Sequence, residues 1–167
     1  MNSALEKDQA YMMQAIRLAG KAYAKEETPI GALIVWRDQV IGQGYNLRNT
    51  KGNPLCHAEI TAIHQAAEFL QDWRLEECTL YVTLEPCPMC AGAIVQARIP
   101  RVVIGAMNPK AGCAGSILNI LQEPRFNHQV EVESGVLEEQ CKELMQSFFA
   151  ELRKRKKIEK EVSGASE

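Results

Sequence analysis

The sequence predicts an α/β protein, a three-layer α/β/α sandwich built on a mixed, mostly parallel sheet. Three observations lead there. Apolar residues switch between helical and strand periodicity along the chain, in the order α-β-β-α-β-α-β-(α)-β-α. Helices alternate with strands through the middle, which requires parallel pairing with helices covering both faces. The first two strands are joined by a short turn, so that pair must be antiparallel and the sheet mixed. No internal repeat or low-complexity linker interrupts the pattern, and 167 residues at 46% hydrophobic content suffice for one core.

Tyr11, Met12, Ala15, Ile16, Ala19 and Ala22 recur at helical spacing, which predicts an amphipathic helix over about residues 8–25. Gly31 to Trp36 and Val40 to Tyr45 are short apolar runs flanking Arg37-Asp38, a hairpin whose turn lacks the favoured Asn-Gly or Asp-Gly pair. Asn46 to Pro54 is a polar loop with breakers at Gly52, Asn53 and Pro54. A helix follows from near His57 through Ile60, Ile63, Ala67 and Leu70, and Cys78 to Thr83 reads as a buried strand. Pro88 suits the first turn of a helix running to about Ala97. Arg101 to Gly105 is a further strand, and Met107 to Gly115 a glycine-rich loop leading to a short helix through Leu121. Val130 to Val132 reads as an edge strand. Leu137, Cys141, Leu144, Met145, Phe148 and Leu152 stripe a long last helix. The domain is expected to span residues 1–160, including that basic helix, with residues 161–167 a disordered tail.

Composition narrows the class. No apolar run approaches the roughly 18 residues that span a membrane. Met1 to Asp8 lacks the basic start and apolar stretch of a secretory signal, so a cytoplasmic protein without membrane contact is expected. In that reducing setting six cysteines read as thiols or metal ligands, not disulfides. The net charge is only −2, but Arg153, Lys154, Arg155, Lys156, Lys157 and Lys160 crowd the C-terminal end.

The chemistry-bearing residues are His57-Ala58-Glu59 and Pro86-Cys87-Pro88-Met89-Cys90. Cys87 and Cys90, three apart at a helix start, bring two sulfurs to one face, where the helix N-terminus stabilises thiolates. His57 supplies a third ligand, and three protein ligands leave one zinc position open, as in catalytic sites. Glu59 lies about 200° around an ideal helix from His57, so the two converge only if His57 is in the first turn. A water activated by the metal could then give its proton to Glu59, which would return it to the substrate as an acid. Two plainer readings compete: a redox-active C-x-x-C, or a structural zinc site closed by Cys56 or Cys113.

The spacing matches the H-x-E…P-C-x-x-C pattern of zinc-dependent nucleobase deaminases. Beyond it stand Pro29-Ile30-Gly31-Ala32, Tyr45-Asn46, Cys56-His57-Ala58-Glu59-Ile60 and Thr83-Leu84-Glu85-Pro86-Cys87-Pro88-Met89-Cys90-Ala91-Gly92-Ala93. Further on come Lys110-Ala111-Gly112-Cys113-Ala114-Gly115-Ser116, Asn127-His128 and Phe148-Phe149. With these segments the chain resembles bacterial tRNA-specific adenosine deaminases over almost its whole length. The resemblance implies a cytidine-deaminase-like sandwich, a homodimer, and conversion of the wobble adenosine of a tRNA anticodon to inosine. It implies one zinc per subunit on His57, Cys87 and Cys90, Glu59 as proton shuttle, and Asn46 hydrogen-bonded to a flipped base. Ala58 and the Leu84-Glu85 turn would complete the pocket, while Asn108, Lys110, Phe149 and Arg153 would meet the RNA.

Each of these has a plainer counterpart. Asn46 suits a residue closing the hairpin turn, Phe148 core packing, and the basic tail a solvated helix end. His64 and His128 read as surface or structural groups, Cys78 and Cys141 as small core residues. The chain also departs from the family. Asn108 stands where Asp is usual before the lysine loop, Ala150 where Arg follows the Phe pair, and Cys56 where Ala is usual. Asn108 can accept a hydrogen bond from a ribose hydroxyl but carries no charge and adds donors, which would relax discrimination between RNA and DNA. Two other functions fit the zinc motif: deamination of a free guanine or cytosine base or nucleoside, and a non-catalytic, zinc-stabilised RNA-binding module.

Overall fold

The structure, a computed structural model, describes residues 3–165. The order is α1 (Ala4–Ala24), β1 (Gly31–Trp36), β2 (Gln39–Tyr45), α2 (Ala58–Leu70), β3 (Cys78–Leu84), α3 (Pro88–Gln96), β4 (Arg101–Ala106), β5 (Glu131–Ser134) and α4 (Glu138–Gly164). One sheet runs β2-β1-β3-β4-β5. β1 is antiparallel to both neighbours, whereas β3, β4 and β5 pair in parallel, so every strand but β1 points the same way.

Alternation within the strands sorts the core into two halves. Ala32, Ile34, Leu80, Val82, Val102 and Ile104 face one side with Ala58, Ala62, Ala66, Ala91 and Ile94 of α2 and α3. Leu33, Val35, Tyr81 and Val103 face the other with Met12, Ala15, Leu18 and Cys141 of α1 and α4. Burial on both faces is why β1, β3 and β4 read as unbroken apolar runs. The three-layer sandwich expected from the sequence is the architecture observed.

The hairpin turn solves its geometry without glycine. Arg37 and Asp38 both take positive φ, 49° and 60°, as a two-residue turn of the twist-matching kind demands. α1 holds this turn: Tyr11 donates its hydroxyl to the Asp38 carbonyl at 3.2 Å, and Lys7 meets the Asp38 carboxylate at 3.3 Å. α1 starts earlier than its apolar pattern indicates because Ser3 caps it, accepting the Glu6 N–H at 3.2 Å.

Three expectations change. The short helix after Gly115 is absent; turns and an isolated Ala114–Asn119 bridge take its place. Its backbone donors are used elsewhere, since the N–H groups of Ala114 and Ser116 go to the Glu85 carboxylate and Ile120 N–H goes to the Cys113 carbonyl. The edge strand is displaced to Glu131–Ser134, where β4 supplies the pairing register. α4 continues to Gly164, so residues 161–164, assigned to a disordered tail, are helical; no breaker precedes Gly164, and its Lys and Glu residues favour helix. Ser166 and Glu167 of that tail lie outside the described residues.

A buried ion pair ties α1 to the sheet. Asp8, 4% exposed, receives Arg101 at 2.8 and 2.7 Å through its two guanidinium nitrogens and the Tyr81 hydroxyl at 2.8 Å. Burial alone would raise the Asp8 carboxyl, but these donors and the guanidinium charge outweigh it and hold it below its ordinary value. A depressed carboxylate stabilises the fold above its unfolded pKa, and that stability is lost as pH falls through the folded one. Asp8→Asn should cost about 3 kcal/mol at neutral pH because it strands the Arg101 charge. Thermal unfolding should show Tm lower by about 6–12 °C, with the deficit shrinking in acid.

Candidate active site

Two helix starts and one strand end build the centre. His57 is the N-cap of α2, with extended backbone at φ −87° and ψ 152°, so it stands just outside the helix. Glu59 occupies the first turn. His57 therefore stands one position before the first turn in which it was expected, and the 200° separation of an ideal helix does not apply to this pair. Gly44 makes the position possible: an added Cβ there would collide with the Ala58 carbonyl, so the α2 start presses directly on β2. Cys87 is the N-cap of α3, Pro88 follows at the first helical position, and Cys90 completes that turn.

His57 Nδ1 lies 3.6 Å from Cys87 Sγ and 3.5 Å from Cys90 Sγ. The three donor atoms lie within 4.8 Å of one another, and they form the only such group with metal-ligand chemistry among the described residues. Cys113 is buried and turns its thiol to the Ala111 carbonyl at 3.8 Å. Cys56 does not join the group either. Two sulfurs and one imidazole nitrogen, one short of a tetrahedral set, fit zinc with a free position and do not fit a closed structural site.

The electrostatics make Cys87 the anionic member of the group. The Cys87 thiol is lowered to about 4 by a hydrogen bond from Cys90, with His57 adding a second bond and its charge against the cost of burial. Cys90 is pushed up by its bond to Cys87 and by burial. His57 is raised by its hydrogen bond to Cys87, against desolvation. Glu59 is only 4% exposed, and burial raises its carboxyl despite bonds from its own N–H and from Cys90. A carboxyl shifted upward by burial in a cleft marks a candidate acid–base group.

A cavity of about 650 Å³ opens above this centre. His57, Ala58, Glu59 and Cys87 line its floor, while Cys90 is fully buried beneath. Asn46, Leu84, Glu85, Asn108, Lys110, Phe149 and Arg153 line the walls and rim. The residues selected from the sequence thus converge on one cleft. Thr28, Ile30, Arg48, Ala111, Met145 and Gln146 also line it and were not assigned to the site from sequence. Met145 and Gln146 were findable, since they lie one helical turn before Phe149 on its face. Thr28 carried no signal of its own, and Ile30 stood only within a segment of family resemblance; the α1–β1 loop reaches the cleft only through the fold.

Asn46 serves two ends. It is 7% exposed, its Oδ1 accepts the Arg48 N–H at 3.1 Å, and its Nδ2 donates to the Thr28 carbonyl at 3.3 Å. The turn-closing role is therefore real, and the same side chain faces the cleft. Phe148 is buried against Tyr23 with ring centroids 5.7 Å apart, whereas Phe149 is 39% exposed at the rim. His64 pairs with Glu68 on the surface at 3.4 Å, and His128 Nε2 meets the Ile99 carbonyl at 2.7 Å. Cys78 and Cys141 are core thiols, raised by burial to about 11 and about 12.

Glu85 was expected to help complete the pocket, but its hold on the neighbouring loop is a feature that the sequence did not reveal. Its carboxylate, in a residue 2% exposed, receives the N–H groups of Asn108 at 2.9 Å and of Ala114 and Ser116 at 3.0 Å, together with the Ser116 hydroxyl. Burial would raise it, but these donors outweigh that effect and hold it below the usual carboxylate value. An added Cβ at Gly112 would land on this carboxylate, so the loop wraps it closely at a position that carries no side chain. Glu85 thus folds the segment that carries Asn108 and Lys110 to the rim. Within that segment Asn108 Oδ1 accepts the Lys110 N–H at 3.2 Å.

Comparison with known proteins agrees with this geometry. Residues 6–153 match the MafB19-like deaminase family. The tRNA-specific adenosine deaminase of Bacillus subtilis (strain 168) is 54% identical over 92% of this chain and 95% of its own. The solved structure of a tRNA:A34 deaminase, from work on A-to-I editing at the wobble position of transfer RNA, superposes with a TM-score of 0.78. It is 39% identical and covers 81% of this chain and 98% of its own. The guanine deaminase of Bacillus subtilis superposes with a TM-score of 0.58 at 38% identity, over 64% of this chain and 66% of its own. The chain belongs to the MafB19-like deaminases and, among them, to the tRNA-specific adenosine deaminase family within the cytidine deaminase superfamily.

Proposed function

We propose that this protein hydrolyses adenosine to inosine at the wobble position of a tRNA anticodon. One observation carries the reading: the His57, Cys87 and Cys90 donors and buried Glu59 floor a cleft whose rim is Lys110, Arg48, Phe149 and Arg153. The floor suits deamination, and a cationic, aromatic rim suits a nucleotide extruded from an RNA loop. His57, Cys87 and Cys90 would hold zinc, which when bound supplies the Lewis acidity that makes water a competent nucleophile near neutral pH.

The chain's own groups handle the protons. Glu59 takes a proton as water oxygen bonds to C6 of the adenine, and delivers it to N1. The remaining proton of the added oxygen then passes through Glu59 to the exocyclic nitrogen, the C6–N6 bond breaks, and ammonia leaves. One carboxyl serves as base and then as acid, and burial with a raised pKa suits both tasks. The Asn46 amide would orient the base, with Ala58 and Leu84 walling the pocket around it. A cytoplasmic homodimer acting on the anticodon stem-loop is the working form this reading implies. No described helix is long and apolar enough to cross a membrane.

The two competing functions explain less. A free-base enzyme has no need of Arg48, Lys110 and Arg153 around its cleft mouth. A purely structural zinc module leaves the buried carboxylate of Glu59 without purpose. The test is inosine detection in an anticodon stem-loop, run beside the matching DNA hairpin and free adenosine, guanine and cytosine. Product in the RNA, with negligible turnover of the free bases and nucleoside, is expected; the reverse order overturns the reading. Asn108 adds a second comparison. With its oxygen committed to Lys110 N–H, its amide presents donors where a carboxylate would offer an acceptor to a 2′-hydroxyl. Asn108→Asp should therefore raise the RNA-to-DNA rate ratio, and an unchanged ratio removes Asn108 from sugar selection.

A further inference from the structure

The last helix carries its cleft-facing surface far beyond the cleft. Met145, Gln146, Phe149 and Arg153 line the cavity from one face of α4. Lys156, Lys157 and Lys160 stand three, four and seven residues beyond Arg153, which places them on that same face. All three are exposed, and none pairs with an acid among the described residues. Glu151 lies on the opposite side of the axis, while Glu159 and Glu161 border the stripe, three residues after Lys156 and four after Lys157.

The segregation is not a by-product of general basicity, because the chain carries a net charge of −2. The remaining arginine of the run, Arg155, turns to the protein body and meets Glu26 at 2.7 Å. Tyr23 stacks edge-on against Phe148 two turns earlier, with centroids 5.7 Å apart. These two contacts with the end of α1 and the loop after it set the heading of α4 as it leaves the body.

We infer that Arg153, Lys156, Lys157 and Lys160 form a phosphate-binding rail that holds the paired stem flanking the reactive loop. The inference rests on the RNA-deaminase reading and extends it from the loop to the stem. The rail advances about 10 Å along the helix from the cleft rim, at 1.5 Å per residue. With the target base extruded into the cleft, loop nucleotides occupy the rim, and the rail continues the cationic surface outward from them toward the flanking stem. Lysines on a straight helix contact phosphates without reading bases, so the rail adds affinity that is indifferent to stem sequence and sensitive to salt.

The test compares the intact protein with the triple variant Lys156→Gln, Lys157→Gln, Lys160→Gln. Glutamine keeps helix propensity at these exposed positions. Binding of a labelled anticodon stem-loop and of its loop sequence alone, as an unpaired oligonucleotide, is read by anisotropy between about 50 and 200 mM salt. The variant should bind the stem-loop about tenfold or more weakly, with a log–log salt slope smaller by about 2–3. Binding of the unpaired oligonucleotide and inosine formation at saturating RNA should be unchanged. An unchanged slope, or equal weakening on both RNAs, overturns the rail. So does a loss confined to phosphatidylserine vesicles, which would make the stripe a membrane contact. Intact protein that forms no inosine in the stem-loop, while the slope shift appears, would refute the reaction and leave the rail standing.

Discussion

Glu59→Gln should lower kcat on an anticodon stem-loop by about 100- to 10,000-fold, the usual worth of a positioned acid–base group, while zinc content stays at that of the unaltered protein. The amide fills the same buried space at the first turn of α2 but can neither accept the proton of the attacking water nor return one. His57, Cys87 and Cys90 group their donors without Glu59, so metal retention is the control that separates lost chemistry from a lost site. Single-turnover inosine formation beside metal analysis of the purified variant reads both. Full activity with zinc bound would show that another group moves the protons.

Glu85→Ala should produce the largest loss of stability, about 4 kcal/mol, with a fall in kcat/KM for the stem-loop. The substitution leaves the N–H groups of Asn108, Ala114 and Ser116 and one hydroxyl without their buried acceptor. Its pH dependence follows from the depressed carboxyl: the stabilisation is complete above the unfolded Glu value, near pH 4.5, and fades as pH falls through the lower folded value. Glu85→Gln should be intermediate, because a neutral amide accepts at one end only. Denaturant unfolding at neutral and acid pH measures the first effect. The second appears as raised KM on RNA, because the loop carrying Asn108 and Lys110 loses its anchor. A Glu85→Ala protein of unaltered stability would contradict the hydrogen-bond inventory of this loop.

Much of this could be read before folding, for identifiable reasons. Strand periods in β1, β3 and β4 and helical periods in α1, α2 and α4 are local properties, so the layers follow from the chain. The His57–Glu59 and Cys87–Cys90 spacings are local too, and each lies within one turn of a helix start. The parts that were missed involve distant partners. Residues 116–121 look helical in isolation, yet the carboxylate of Glu85, about thirty residues earlier, captures their leading donors. Thr28 reaches the cleft only because the α1–β1 loop is laid against Asn46. No periodicity encodes either meeting.

The sequence by itself determined the layers of this protein and its reactive groups: a histidine, two cysteines and a carboxylate at two helix starts, with a basic last helix. Spacing along a helix turn is enough to specify such sets. Only the tertiary structure decided that His57 stands outside α2 and Glu59 within it, and that the Glu85 carboxylate anchors the loop carrying Asn108 and Lys110. It also turned the cleft-facing side of α4 into a continuous cationic line. The physical reason for the first two is where buried groups find partners once the sheet has brought remote segments together; for the last it is how α4 is laid against the cleft. Neither exists before the chain folds.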